Sequence, residues 1–269
     1  MIASPESPKA DEGGSLRMII LLANGMLPMA VIAYCCVSHD WLISGMLVMH
    51  IVVMITLPLL ILKGDLTPYM GTIRADILQA KSHIGQALLL MSCFVTFGLA
   101  VYIPASCKSG LLTSCFDFTP FISILGPDLP KPALIAAGLY FTFVNPLVEE
   151  LFWRVFLHKE LCLTYLTKEH RLSPTPDTYG TVPLIQAPKS HVTSFFSKIV
   201  LSTMYALYHA ILLIARISPA FGLLGFFFLL GFGLALVYTR EQLGISASVC
   251  LHAAIDAAVV VSLYYEKFG

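Results

Sequence analysis

Seven apolar runs recur along the chain, and all but the longer fourth come close to the roughly 20 residues that a helix needs to cross a bilayer. They cover residues 18–38, 41–62, 86–104, 133–165, 196–216, 220–239 and 244–264. In hydrocarbon a spanning segment has to satisfy its own backbone N–H and C=O groups, and α-helices do so without help from neighbours. The expected fold is therefore an all-α, polytopic transmembrane helix bundle of about seven spans, within a range of six to eight. Composition agrees. Residues of hydrophobic type make up 57% of the chain and charged residues 12%, where a soluble domain carries about 25% charged residues. Mean hydropathy is +0.82. The net charge is zero and no basic tail or patch occurs, so no nucleic-acid partner is expected. Membrane lipids are the expected surroundings.

The segments between the runs set the organisation. Residues 1–16 are polar, with Pro5, Pro8, Gly13 and Gly14, and read as a disordered tail. The first run starts near Arg17 and extends well past a signal-peptide core, so it reads as a retained span. Residues 17–129 form an N-terminal transmembrane region with the first three runs, and residues 130–265 a second region with the other four. His39 and Asp40 make the turn between the first two spans. In the 63–85 connection, residues 73–80 have a helical pattern suited to the membrane interface. The 105–131 loop contains an apolar patch, Phe116 to Leu125, that reads as surface-lying or re-entrant. The polar loop at 168–193 carries Pro174, Pro176, Gly180, Pro183 and Pro188 and reads as a connector. Glycines 222, 225, 231 and 233 in the sixth span suit close helix contact. Cys35, Cys36, Cys93 and Cys250 fall in spans, where they serve as small apolar fillers. Cys107 and Cys115 flank one loop and could pair if it faces an oxidising compartment. Most lysines and arginines fall on the side that holds the N-terminus, which is therefore expected in the cytoplasm.

Against this apolar background, three spans carry polar groups that hydrocarbon does not favour. The fourth contains Asn145-Pro-Leu-Val-Glu149-Glu150-Leu-Phe-Trp-Arg154, the fifth Tyr205-Ala-Leu-Tyr-His209 and the seventh His252-Ala-Ala-Ile-Asp256. Pro146 is expected to kink or restart its helix. Glu150 and Arg154 are four apart and share a helix face, so they can pair. Glu149 lies about 100° around the helix from Glu150 and is the less neatly paired carboxylate. Hydrolysis of a peptide bond needs a base, a group that orients it and donors for the developing oxyanion. Glu149 fits the base, and His209 could share the water and help move its proton. His252 fits the oxyanion donor, Asp256 its orienter or, if protonated, a hydrogen-bond donor itself, and Tyr205 a support for His209 or for the pocket wall. His50, in the second span, reads as a histidine bonded to a neighbouring helix, and His158, His170 and His191 as solvent-facing.

The same residues admit other chemistry. Glu149, His209 and His252 could form a metal shell open to water, although no His-Glu-x-x-His helix is present. No serine stands in a Gly-x-Ser-x-Gly elbow, and no aspartate pair occupies suitable spans. A haem with axial histidines would leave the double glutamate without a task. A transporter built on two related halves finds no repeat here.

Glu149-Glu150-Leu-Phe-Trp-Arg154 resembles the EExxxR motif of the CPBP family of CAAX prenyl endoproteases and bacterial relatives. Tyr205-Ala-Leu-Tyr-His209 is similar to its FxxxH motif, and His252-Ala-Ala-Ile-Asp256 to its HxxxN motif. The resemblance implies an Rce1-like, glutamic-type intramembrane protease acting on a membrane-anchored or lipidated protein or peptide, with neither cofactor nor metal. It implies that Glu149 and His209 activate water, that His252 and Asp256 form the oxyanion site, and that Glu150 and Arg154 support the pocket. The expected location is the bacterial inner membrane. Two positions depart from the family pattern: Tyr205 replaces Phe and Asp256 replaces Asn. An ionised Asp256 would repel a forming oxyanion, so it carries a proton, or only orients His252, or leaves catalysis inefficient. This departure keeps open a non-enzymatic reading, as a membrane immunity or assembly factor.

Overall fold

The computed structural model describes residues 12–39, 42–106, 117, 130–162 and 191–268. These residues form helices and no β-sheet. Seven of the helices are long and apolar enough to cross a membrane: Leu16–Ser38, Ile43–Ile61, Ile84–Pro104, Lys131–Cys162, Phe195–Arg216, Pro219–Leu243 and Ile245–Phe268. The chain is a multi-pass integral membrane protein. Ile19, Leu60, Leu89, Leu224 and Phe227 are each more than half exposed on the outside of the bundle. In water they would form an aggregating surface, whereas around a bundle they form the lipid-facing belt. The N-terminal helix begins at Glu12, inside the segment expected as tail.

Local chemistry fixes the hairpin between the fifth and sixth spans. The Ser218 side chain accepts a hydrogen bond from the Phe221 N–H at 3.1 Å, and Pro219 occupies the first turn. Both are N-terminal signals with clear physical causes. The two helices then cross closely at Gly222, where a Cβ would lie 2.1 Å from Ile214 Cγ1 and 2.8 Å from the Ile214 nitrogen. Gly225 meets Leu213 in the same way, whereas a Cβ on Gly231 would meet nothing within 4 Å. The sixth span passes to the seventh through Gly244, at φ 87° and ψ 170°, a conformation essentially reserved for glycine.

The seventh span is the most enclosed, with 56% of its apolar window buried against 6% for the third. It packs on the third, fourth and sixth spans and on a helix, Thr67–Ser82, that follows the second span. That helix turns one face inward through Tyr69, Ile73 and Asp76, at helical spacing.

The fourth span runs from Lys131 to Cys162 without a break at Pro146. It alternates between α-helix and wider π turns: α at Lys131–Leu139, π at Tyr140–Val144, α at Asn145–Glu150 and π at Leu151–Leu157. The widened turn just upstream accommodates a proline that can neither donate a hydrogen bond nor fit a regular turn. At ~1.5 Å per residue this span is longer than a ~30 Å hydrocarbon core, so its far end emerges at the interface. His158 sits there. The expectation of a solvent-facing His158 is corrected, since it is 5% exposed. The helix continues past it to Cys162, and the Thr67–Ser82 helix and the fifth span close over this end of the bundle. His170, Cys107, Cys115, most of the Phe116–Leu125 patch and the 168–193 loop before His191 lie outside the described residues.

Polar ties mark the two ends. At one, Arg17 and Tyr69 both bond Glu160, Arg240 pairs with Asp76 at 3.0 Å, and Lys198 pairs with Glu241 at 2.6 Å. Burial and the Glu160 carboxylate hold the Tyr69 hydroxyl in its protonated donor form, well above its ordinary pKa. At the other, the Arg216 guanidinium donates to the Cys36 carbonyl, and the Lys131 ammonium lies 5.0 Å from the Phe268 ring centroid. Each set of partners falls on the side that seven alternating spans assign to it.

Candidate active site

The α-helical turn Asn145–Glu150 presents two successive carboxylates to different neighbours, as the ~100° step of a helix requires. Glu150 is fully buried and faces the seventh span. Its Oε1 lies 2.9 Å from His252 Nδ1 and 3.1 Å from Arg154 Nη1, and its Oε2 accepts from the Ser248 hydroxyl. Among the described residues the Arg154 nitrogens find no aligned hydrogen-bond partner, so the guanidinium is held by charge and by the Tyr205 ring, 4.4 Å away. Arg154 is 1% exposed.

Glu149, also 1% exposed, faces the fifth span, where the Tyr208 hydroxyl donates to its Oε2. The same oxygen is 4.0 Å from His252 Nε2. His252 thus bridges the two glutamates, with Nδ1 toward Glu150 and Nε2 toward Glu149. The Tyr205 hydroxyl is 3.3 Å from that Nε2. His209 is held differently: its Nδ1 is 2.9 Å from the Tyr205 carbonyl. Because a carbonyl only accepts, Nδ1 carries the proton, and in the neutral ring Nε2 carries the lone pair. Among the described residues His209 makes no hydrogen bond to Glu149. It reaches Glu149 through Tyr208, whose ring centroid is 3.9 Å from its own.

Asp256, one turn beyond His252, is 7% exposed and has Oδ1 3.9 Å from His252 Nε2. Its Oδ2 accepts a 2.9 Å hydrogen bond from the Asn145 amide. Trp153 stacks on Tyr208, with centroids 5.8 Å apart and planes at 6°, and so completes the wall.

The fold therefore gathers Glu149, Glu150, Arg154, Tyr205, His252 and Asp256 into one buried cluster, with His209 at its edge. Three further groups belong to it that the motif reading did not assign: Tyr208, Ser248 and Asn145. Each left a signal, being a hydroxyl or amide within an apolar span that needs a partner. Among the described residues, no group of three or more His, Cys, Asp or Glu side chains is arranged to hold a metal ion. An apolar cleft of about 640 Å³, lined by Ala30, Val31, Tyr34, Cys35, Ser44 and Val48, holds none of these residues.

Residues 131–258 match the family described as type II CAAX prenyl endopeptidase Rce1-like. Over this segment the chain belongs to that family. Comparisons with curated proteins and with solved structures give no significant match. The Rce1-like segment contains every residue of the cluster. It begins at the first residue of the fourth span and ends within the seventh.

Proposed function

We propose that the chain is an intramembrane endopeptidase that hydrolyses a peptide bond near the membrane by means of water activated at Glu149. Glu149 takes a proton from the water, and the hydroxide adds to the carbonyl carbon. His209 presents its Nε2 lone pair as the second proton acceptor. His252 donates Nδ1–H to Glu150 and, as the imidazolium, Nε2–H to the developing oxyanion, and Asp256 orients that ring. When the tetrahedral intermediate collapses, the C–N bond breaks and the proton held by the base passes to the leaving amine. Tyr208 covers Glu149 at rest, so its hydroxyl withdraws or shares the carboxylate when water enters. The expected substrate is a membrane-anchored or lipidated protein or peptide, which includes CAAX-type C-terminal processing. The bias of Lys and Arg supports an N-terminus on the cytoplasmic face.

The observation that carries this reading is the 4.0 Å approach of Glu149 to His252 from two different spans, inside a family-matched segment. A comparison of membrane peptides from cells that hold the wild type with those from cells that hold Glu149→Ala tests it. Peptides shortened only in the wild-type cells are expected, and purified wild-type protein in detergent should cut the same peptide. Identical peptide sets would overturn the proposal. Retained cleavage after chelation supports the metal-free route, and loss restored by added metal supports a metalloprotease. The non-enzymatic reading draws on Asp256, and predicts that a partner's function survives Glu149→Ala but not deletion of the chain.

A further inference from the structure

The second span lies outside the family-matched segment, yet one of its side chains ends at the cluster. His50 is 1% exposed, and its Nδ1 lies 2.7 Å from the Tyr140 hydroxyl. Among the described residues its Nε2 is buried without a hydrogen-bond partner. The Asn145 side chain lies beside the ring, and among the described residues its Oδ1 is likewise buried and without a partner. Orphaned polar atoms this deep are rare in native proteins and call for an explanation. Here the two orphans are complementary. If the Tyr140 hydroxyl donates to Nδ1, the neutral ring carries its proton on Nε2. That N–H is a donor from which Asn145 Oδ1 can accept. The Asn145 amide already donates to Asp256 Oδ2 at 2.9 Å, which leaves Oδ1 for His252.

We propose that Tyr140, His50 and Asn145 form a one-way hydrogen-bond chain that holds Asp256, so that His50 and Asn145 are positioning residues for the site. The proposal rests on the endopeptidase reading above. Every donor in the chain points toward Asp256. A carboxylate held by one fixed amide donor cannot swing freely, and its second oxygen stays aimed at the imidazole. The device also recruits the N-terminal region: a side chain of the second span sets the geometry of a residue on the seventh.

The test uses full-length protein in lipid nanodiscs and a peptide found by the membrane comparison. Asn145→Ala and His50→Phe should lower kcat by about tenfold to a hundredfold with little change in KM, as loss of groups that orient a reacting residue does elsewhere. Asn145→Asp places two carboxyls together and should be worse. Adding Asp256→Asn to it restores a donor and an acceptor with reversed polarity, and should recover at least tenfold of the rate. A merely structural role predicts no such rescue. A second readout needs no activity. In protein labelled with 15N-histidine, the His252 ring signal, assigned through His252→Gln, should move in Asn145→Ala and His50→Phe and stay in Gln79→Ala. His50→Gln and Asn145→Ser serve if the larger changes prevent folding. Unchanged kcat and unchanged His252 signals overturn the chain while loss of cleavage in Glu149→Ala leaves the endopeptidase standing. A wild type that cuts nothing sinks the endopeptidase, and the His252 signal then decides the chain alone.

Discussion

Glu150 has both oxygens committed, Oε1 to His252 and Arg154 and Oε2 to Ser248. Among the described residues Glu149 holds a single hydrogen bond, from Tyr208. On the proposed endopeptidase reading the two carboxylates separate into a structural member and a chemical one, and the difference is measurable. Glu150→Ala strands the Arg154 guanidinium, which is 1% exposed, and breaking one side of a buried ion pair costs about 3–5 kcal/mol. Thermal unfolding in detergent should show a sharply lowered midpoint, or no folded protein at all. Glu149→Gln keeps its shape and an acceptor for Tyr208, so its midpoint should stay near that of the wild type while cleavage disappears. Equal midpoints for the two variants would count against this division. The Glu150–Arg154 pair was legible in the sequence because four residues make one helical turn. Tyr208 was not, although it adjoins His209. Which of two neighbouring polar side chains meets Glu149 depends on how the fifth span is rotated against the fourth, and a lone helix does not encode that rotation. Asn145 was hidden for a related reason: its partner Asp256 is 111 residues away on another helix.

At the scale of elements, all seven spans were readable, with ends that differ by up to four residues, because hydrocarbon thickness dictates a run length. What the apolar pattern could not convey is the widening of the fourth span around Pro146, because π turns and α turns bury similar side chains. The sixth-span glycines show the same boundary between composition and geometry. Gly222, Gly225 and Gly231 look alike in sequence, but only the first two meet the fifth span closely. Gly222→Val should therefore be far more damaging than Gly231→Val, because the atoms in its way include the Ile214 backbone, which cannot rotate aside. Gly244→Ala should be destabilising for another reason, since it places a Cβ on a backbone at φ 87°, a cost on the order of 1–3 kcal/mol. Unfolding midpoints of the purified variants check both. A Gly231→Val midpoint as low as that of Gly222→Val would show that the close crossing is not what makes Gly222 necessary.

At the scale of the molecule, the division into an N-terminal region and a core at residue 129 cuts across polar ties at several depths. Glu160 is 3% exposed, with partners Arg17 and Tyr69 on the N-terminal side of the cut. Arg240 is 6% exposed, and its carboxylate partner is Asp76. His50 meets Tyr140 deep in the bundle, and a Cβ on Gly98 would lie 2.7 Å from Ala258 Cβ, so the third and seventh spans are in tight contact. A chain of residues 130–269 alone would leave Glu160 and Arg240 without these partners, and each such loss costs several kcal/mol where the charge stays buried. The losses need not add, because the Arg240 guanidinium also donates to the Arg154 carbonyl and couples this end to the site. The expected outcome is that 130–269 expressed alone runs as aggregate on size exclusion in detergent, and that co-expressed 1–129 restores a monodisperse species with the wild-type unfolding midpoint. The family-matched segment would then hold the chemistry while depending on the first three spans for its shape. A monodisperse 130–269 fragment with the full-length midpoint would instead make the N-terminal spans an accessory, and their buried ion pairs dispensable to the core.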